Sequence, residues 1–141
     1  MINQESIVYT GGTFDLFHWG HAELLRSCAE LGKVTVALNT DEFIEEYKGR
    51  KPVCSYEERA RVLMACKWVD KVVPNLSGKD SKPTIISVMP DYIVVGSDWM
   101  NRDYYDQMSF TQDWLDFHSI KLVYLPYSTG ISTTELKRRL K

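Results

Sequence analysis

Apolar residues follow two patterns along this chain. Short runs rich in β-branched and aromatic residues predict five β-strands, over residues 6–10, 34–38, 71–73, 92–96 and 121–126. Between these runs, apolar residues at a spacing of three or four, together with capping residues, predict helices. The predicted helices cover residues 22–31, 42–46, 56–68, 84–89, the second half of 101–118, and 133–140.

Local signals mark several helix ends. Ser55 with Glu58 forms a capping box, and Ser132 with Glu135 repeats that spacing. Pro90 ends a helix, and residues 74–83 are predicted as a polar loop. Because strands alternate with helices, we expect an α/β fold with a parallel sheet. Ligands bind such sheets at the carboxyl ends of the strands, where the strand order reverses.

Length and composition limit the class of protein. The 141 residues are 44% hydrophobic and contain no repeat or linker, so we expect one domain over residues 1–141. A net charge of −2 gives no basic excess for nucleic-acid binding. No apolar run approaches the ~20 residues that span a membrane, and the first residues do not resemble a signal peptide. Three cysteines without a C-x-x-C spacing indicate reduced thiols, and therefore a cytoplasmic protein.

The most informative segment follows the first predicted strand. Residues 11–21 read GGTFDLFHWGH. The glycines permit a close approach of the backbone to a ligand, and a helix start at Gly20 favours an anion. Two histidines three residues apart can offer N–H donors to one phosphate. The segment is neither a Walker P-loop nor a G-x-G-x-x-G motif. A zinc site at His18 and His21 would need a third ligand that the sequence does not indicate.

A second segment with anion-binding character lies near the end of the chain. Residues 130–134 read GISTT, which places three hydroxyl groups at the start of the last predicted helix. Alone, this segment would be interpreted as an ordinary N-cap. Together with residues 11–21, it predicts a phosphate-binding site.

These motifs resemble the cytidylyltransferase family of the HxGH nucleotidyltransferase superfamily, and most closely its glycerol-3-phosphate branch. The resemblance covers nearly the whole chain. The matching features, in order, are residues 11–21, TDEF at 40–43, the basic loop 48–51, SYE at 55–57 with Arg59, VD at 69–70, Gly96 with DW at 98–99, YLP at 124–126, and residues 130–134.

The resemblance implies a Rossmann-like three-layer α/β domain with a five-stranded parallel sheet, in a homodimer. It implies an enzyme that joins CTP to a phosphorylated alcohol and releases a CDP-alcohol and pyrophosphate. Glycerol 3-phosphate is the first expected acceptor. Mg²⁺ is expected to bind through the nucleotide phosphates, with no metal ligand from the protein.

The resemblance also assigns roles to residues of this chain. His18 and His21 would contact the nucleotide phosphates, and Lys48 and Arg50 would hold the phosphates and the acceptor. The expected nucleotide-binding residues are Thr13, Phe14, Asp15, Gly96, Asp98, Ser132 and Thr133. The residues assigned to acceptor binding or specificity are Arg59, Lys67 and Tyr127.

Two departures from the family pattern bear on the acceptor. Tyr127 lies in the segment just before residues 130–134, where the glycerol-phosphate branch usually has an arginine, and a phenol lacks the charge and fork of a guanidinium. The segment 100–118 is about ten residues longer than the family analogy suggests. Such a loop can serve as a lid or a specificity element, or its aromatic residues can belong to the core.

Three alternatives remain open from the sequence. The same reaction could use another acceptor or nucleotide, such as a CDP-ribitol, an ADP- or CDP-heptose, or an FAD-synthetase-like adenylyl transfer. The fold could carry a non-catalytic nucleotide-binding module. Nucleic-acid binding is the weakest alternative, because it requires a basic face.

Overall fold

A computed structural model describes residues 5–96, 109–125 and 130–141. Five strands form one parallel sheet: β1 (Ile7–Gly12), β2 (Lys33–Asn39), β3 (Lys71–Asn75), β4 (Tyr92–Gly96) and β5 (Lys121–Leu125). Six helices connect or follow the strands in the described ranges: α1 (Trp19–Ala29), α2 (Asp41–Lys48), α3 (Tyr56–Ala65), α4 (Lys82–Val88), α5 (Gln112–Phe117) and α6 (Thr133–Arg139). The predicted α/β class and five parallel strands are confirmed.

The strand order β3-β2-β1-β4-β5 reverses between β1 and β4. The register of β1 with β2 continues to Gly12↔Leu38. The register of β1 with β4 covers Val8↔Tyr92 and Tyr9↔Ile93, near the amino end of β1. The two central strands therefore separate toward their carboxyl ends. This is the crevice in which doubly wound sheets bind ligands.

Apolar side chains cover both faces of the sheet. Val8 and Val94 pack on one face with Leu25 of α1 and Leu63 of α3. Tyr9, Ile93 and Val95 pack on the other face with residues that include Ile85 of α4 and Leu115 of α5. Because neighbouring strand residues point to opposite faces, strands buried on both sides need apolar residues at consecutive positions. The result is the predicted three-layer arrangement.

The boundaries of β3 and α4 differ from the prediction at two proline residues. Residues 74–83 were expected to be a loop, but Pro74 belongs to β3 and pairs with Leu38. The prolyl residue is tolerated because β3 is an edge strand, whose outer side needs no ladder N–H. Pro83 likewise lies in the first turn of α4, where its missing N–H costs nothing.

Two other helices end or begin at different residues than expected. The helix predicted over 56–68 ends at Ala65, because Cys66 has an extended backbone. The helix predicted to start at Gly20, with apolar positions over 22–31, begins at Trp19, because His18 caps it. None of the helices in the described ranges is long and apolar enough to cross a membrane.

Candidate nucleotide-binding site

The loop between β1 and α1 has an unusual backbone. Phe14 and Leu16 have φ values of 51° and 50°, in the left-handed region that L-residues rarely adopt. Asp15 lies between them and is buried. Its carboxylate accepts hydrogen bonds from the backbone N–H groups of Val53 (2.7 Å) and Cys54 (2.9 Å). Asp15 therefore holds the loop against the segment that precedes α3.

Two histidines form the start of α1. The Nδ1 atom of His18 accepts from the N–H of Gly20 (3.1 Å), and Nδ1 of His21 accepts from the N–H of His18 (3.2 Å). This is a capping box in which imidazole nitrogens replace the usual hydroxyl and carboxylate oxygens. Because Nδ1 accepts in both rings, a neutral ring carries its proton on Nε2. Both side chains therefore present Nε2–H as a donor.

The same arrangement favours the neutral form of both rings. Their centroids are 3.8 Å apart, with an angle of 21° between the planes. Burial lowers the pKa of His18. Burial first, and then the neighbouring His18, lower the pKa of His21 to about 3, although Asp15 acts in the opposite direction. Near neutral pH, the pair offers hydrogen-bond donors without a full positive charge.

A cavity of about 430 Å³ opens over the carboxyl ends of β1 and β2. Its wall contains Gly11 and Gly12, part of the following loop, and the start of α6. Of the residues predicted for the site, those in this wall are Thr13, Phe14, Asp15, His18, His21, Lys48, Arg50, Ser132 and Thr133. The structure therefore brings the two sequence motifs and the basic loop to one place.

In the part of the chain that the structure describes, four cationic side chains line the cavity. Lys48 and Arg50 were predicted, whereas Lys51 and Lys137 were not assigned to the site. Burial lowers the pKa of Lys48, with further contributions from Arg50 and Lys137. Lys137 lies four residues after Thr133, so both side chains are on one face of α6. That spacing was a signal in the sequence from which Lys137 could have been identified.

Residues 130–134 contact the first motif directly. The hydroxyl group of Thr133 donates to the carbonyl oxygen of Asp15 (2.8 Å). Ser132 is the N-cap of α6, and its Oγ accepts from the N–H of Glu135 (3.0 Å). Gly130 has a φ of 83°, which suits glycine before the cap. The Thr133 proton is engaged within the protein, so in this arrangement the Thr133 side chain joins the two motifs.

Comparison with known proteins identifies the family. The family model "Cytidylyltransferase-like" matches residues 9–139, nearly the whole chain. The chain belongs to the cytidylyltransferase-like family. It is 39% identical to glycerol-3-phosphate cytidylyltransferase of Bacillus subtilis over 134 residues, which are 94% of this chain and 95% of that protein. The enzyme of the same name from Staphylococcus aureus is 36% identical, over 94% of this chain and 93% of that protein.

The fold of this cytidylyltransferase-like chain has a close counterpart among solved structures. The lipopolysaccharide core biosynthesis protein of Thermoplasma volcanium superposes with a TM-score of 0.69 at 25% identity. The alignment covers 87% of this chain and 96% of that one. The Rossmann-like architecture expected from the sequence is thereby confirmed.

Three residues assigned from the family pattern lie apart from the cavity wall. Gly96 is buried at the end of β4. Lys67 places its Nζ 4.5 Å from the centre of the Trp68 ring. Arg59 is 2% exposed and directs its guanidinium to protein acceptors. Asp98 and Tyr127, also predicted for the site, lie outside the described residues.

Arg59 forms hydrogen bonds to three segments of this cytidylyltransferase-like domain, at Thr13, at residues 39–41 and at Cys54. Its Nε donates to the carbonyl oxygen of Cys54 (3.0 Å). Its Nη1 donates to the carbonyl oxygens of Thr13 and Asn39, both at 2.9 Å. Its Nη2 pairs with Oδ1 of Asp41 at 2.6 Å. In this arrangement Arg59 holds the ends of β1 and β2 rather than facing an acceptor.

The described part of the long segment 100–118 packs against the core through part of its side chains. Phe110 and Leu115 are buried against the sheet, and Trp114 packs beside them. For residues 110–118, the interpretation as a packed helix applies. The remainder of the proposed lid, residues 100–108, lies outside the described residues.

Proposed function

We propose that this chain is a cytidylyltransferase that joins CTP to a phosphorylated small polyol, with glycerol 3-phosphate as the first acceptor. The observation that carries the proposal is one cavity whose described wall holds two histidines, each with Nδ1 accepting a backbone N–H, and four cationic side chains. Donors and cations of this kind suit a triphosphate. The similarity to glycerol-3-phosphate cytidylyltransferases over almost the whole chain supports the choice of nucleotide and acceptor.

In the proposed reaction, a phosphate oxygen of the acceptor attacks the α-phosphorus of CTP. A new P–O bond forms while the bond from the α-phosphorus to the bridging oxygen breaks, and the electron pair leaves on pyrophosphate. The acceptor is already an anion, so no strong base is required. The protein has to align the reactants and stabilise charge on the phosphate oxygens.

The histidines and the basic side chains have different roles in the proposed reaction. His18 and His21 donate Nε2–H to oxygens on which charge develops, and neither ring has to lose its proton. Lys48, Arg50 and Lys137 balance the charge of the triphosphate and of the acceptor. Mg²⁺ is proposed to bind with CTP through phosphate oxygens, where it would neutralise charge. Binding of Mg²⁺ through the phosphates, and not through a protein carboxylate, fits the cavity, because the carboxylate of Asp15 already accepts hydrogen bonds from two backbone N–H groups.

The proposal extends to the state of the protein in the cell. We propose a homodimer in the cytoplasm, as the family resemblance implies. Light scattering on the purified protein should give twice the mass of one chain. A mass equal to one chain at all concentrations would contradict the dimer without affecting the proposed reaction.

The experiment for the function is pyrophosphate release across a grid of nucleotides and acceptors. The grid combines four nucleoside triphosphates with phosphorylated alcohols, including glycerol 3-phosphate, each with Mg²⁺. We expect release with CTP and glycerol 3-phosphate. Release with CTP and another acceptor would preserve the reaction and change the substrate. CTP binding without release from any acceptor would favour a non-catalytic module.

A pair of variants tests the role of His18. His18→Ala should lower kcat by at least ~10²-fold, because it removes a donor to developing charge. The same change also removes the cap of α1, so His18→Asn is the matched control. Asparagine can cap the helix but lacks the Nε2 donor at its position. Near-normal turnover in both variants would contradict the assigned role.

A further inference from the structure

A chain of hydrogen bonds crosses the carboxyl edge of the sheet and ends at the cavity. Thr84 of α4 donates from its hydroxyl to Oδ1 of Asn75 (3.4 Å). Nδ2 of Asn75 donates to Oδ1 of Asn39 (3.2 Å). Nδ2 of Asn39 donates to Oγ1 of Thr13 (3.2 Å). Asn39 and Asn75 are register partners at the ends of β2 and β3, so the sheet itself holds the two amides side by side.

The donor and acceptor of each hydrogen bond in this series are determined by a second contact of Asn75. Nδ2 of Asn75 also donates to the carbonyl oxygen of Gly78 (3.3 Å), which can only accept. The amide of Asn75 therefore presents Nδ2, and not Oδ1, to Asn39. Asn39 must then accept through Oδ1 and turn its own Nδ2 toward Thr13. Asn75 and Thr84 are 8% and 7% exposed, so water competes little for these bonds.

These bond directions determine the role of the hydroxyl group of Thr13. Its oxygen already accepts from Asn39, which leaves its single proton available for donation. Thr13 and Asn39 both line the cavity, whereas Asn75 and Thr84 lie behind its wall. Within residues 5–96, 109–125 and 130–141, the structure gives this proton no acceptor. Four cationic side chains also line the described wall of this cavity. A ligand that reaches Thr13 is therefore expected to be an anion.

We propose that Asn39, oriented by Asn75, is a positioning residue that holds the Thr13 hydroxyl as a hydrogen-bond donor to a phosphate oxygen of the bound nucleotide. The identity of the ligand rests on the proposed function. The orientation of the hydroxyl rests on the hydrogen bonds alone.

A polarity change at Asn39 tests the proposal. In Asn39→Asp, the carboxylate still accepts from Asn75 but also accepts the Thr13 hydroxyl, which turns the proton away from the cavity. The new negative charge would weaken anion binding independently. The variant is therefore compared in two backgrounds, the natural chain and Thr13→Val, because only the first has a hydroxyl to turn. CTP binding is measured by calorimetry, and a urea midpoint for each variant checks folding.

We expect Thr13→Val to raise the Kd for CTP about tenfold, as for loss of one hydrogen bond to a charged group. Asn39→Asp should raise it at least tenfold in the natural chain and at most about threefold in Thr13→Val. Equal increases in the two backgrounds would overturn the proposal, because the charge alone would then explain the effect. A Thr13→Val protein that binds CTP as tightly as the natural chain would also overturn it.

A second substitution, Asn75→Asp, changes a residue behind the cavity wall and tests the proposal if Asn39→Asp does not fold. In Asn75→Asp, the carboxylate accepts from Nδ2 of Asn39 and turns that amide, so that Oδ1 faces Thr13. We expect about a threefold or larger increase in Kd that is absent in Thr13→Val. An increase that is the same in Thr13→Val would contradict the proposal.

Failure of the proposed function has a different signature. Normal transfer with equal effects of Asn39→Asp in both backgrounds would overturn the role of Asn39 and leave the function intact. CTP binding with the expected dependence on Thr13, but no transfer to any acceptor, would support the role of Asn39 and refute the transferase. A natural chain that does not bind CTP would overturn both.

Discussion

Replacement of Arg59 by methionine tests whether this residue is part of the scaffold or of the acceptor site. Its side chain is 1% exposed, and its donors are shared among three backbone carbonyl oxygens and the carboxylate of Asp41. Methionine has a similar reach and apolar volume, so Arg59→Met removes the donors with little change in packing. The carbonyl groups of Thr13 and Asn39 then lose a donor in a place that water barely reaches.

The expected cost follows from the burial of the two partners. Removal of one member of a buried ion pair typically costs about 3–5 kcal/mol. The side chain of Asp41 is 32% exposed and can be partly solvated after the change, which favours the lower end of that range. The carbonyl groups left without a donor act in the opposite direction. We therefore expect a loss of about 3–4 kcal/mol in the free energy of unfolding, a large part of the total for one domain.

The assay is urea unfolding of the protein without ligand, followed by circular dichroism. Arg61→Met is the matched control on the same helix, because Arg61 is 79% exposed and forms an i,i+4 pair with Glu57. A pair of that kind contributes less than about 0.5 kcal/mol. The reasoning would be refuted if Arg59→Met stayed within about 1 kcal/mol of the natural chain while its KM for the acceptor rose. Arg59 would then act on the substrate, as the family pattern suggested.

The strands and most helix starts could be predicted from local sequence because their signals are local. The apolar run at 92–96 is β4, and the capping box at Ser55 begins α3 as expected. The role of Arg59 could not be predicted, because two of its carbonyl partners, on Thr13 and Asn39, are 46 and 20 positions away in sequence. The edge position of β3, which admits Pro74, likewise depends on the order of strands in the sheet.

The candidate site was predicted in outline, but the state of its side chains was not. Two histidines at a helix start suggested donors to a phosphate. Their use of Nδ1 as capping acceptors, which fixes the proton on Nε2, depends on backbone angles at His18. Lys137 was not assigned to the site from the sequence, because it lies outside the segment 130–134 that suggested anion binding. Only its position relative to Thr133 relates it to the cavity.

Three further changes test the structure around the site. His21 has a pKa of about 3 in the folded chain against 6.5 as its ordinary value, so the unfolded chain takes up a proton first as the pH falls. About 2 kcal/mol of stability should be lost between pH 7 and pH 5 through this group, and urea unfolding of His21→Gln should show a correspondingly smaller loss. In Gly20→Ala, the new methyl group would lie 3.0 Å from both the His18 ring and Cγ2 of Ile131. The ring has to shift, so kcat should fall several-fold while the unfolding midpoint changes little; unchanged turnover would contradict the assigned geometry. In Gly32→Ala, the methyl group would overlap the carbonyl group of Ser6, which accepts from Lys33 N–H, so a thermal melt should show a loss of more than about 1 kcal/mol.

In this site, the side chains that fix the loop differ from the side chains that supply positive charge. The polar atoms of Asp15 and Thr133 bond to backbone groups, and those of Arg59 bond to backbone carbonyl groups and the carboxylate of Asp41, so in this structure all three fix the loop. Burial lowers the pKa of both histidines and so favours their neutral forms. Among the described residues of the cavity wall, positive charge therefore comes from lysine and arginine side chains. Binding of an anionic nucleotide should thus weaken with added salt, whereas the positions of the histidine donors should not depend on it.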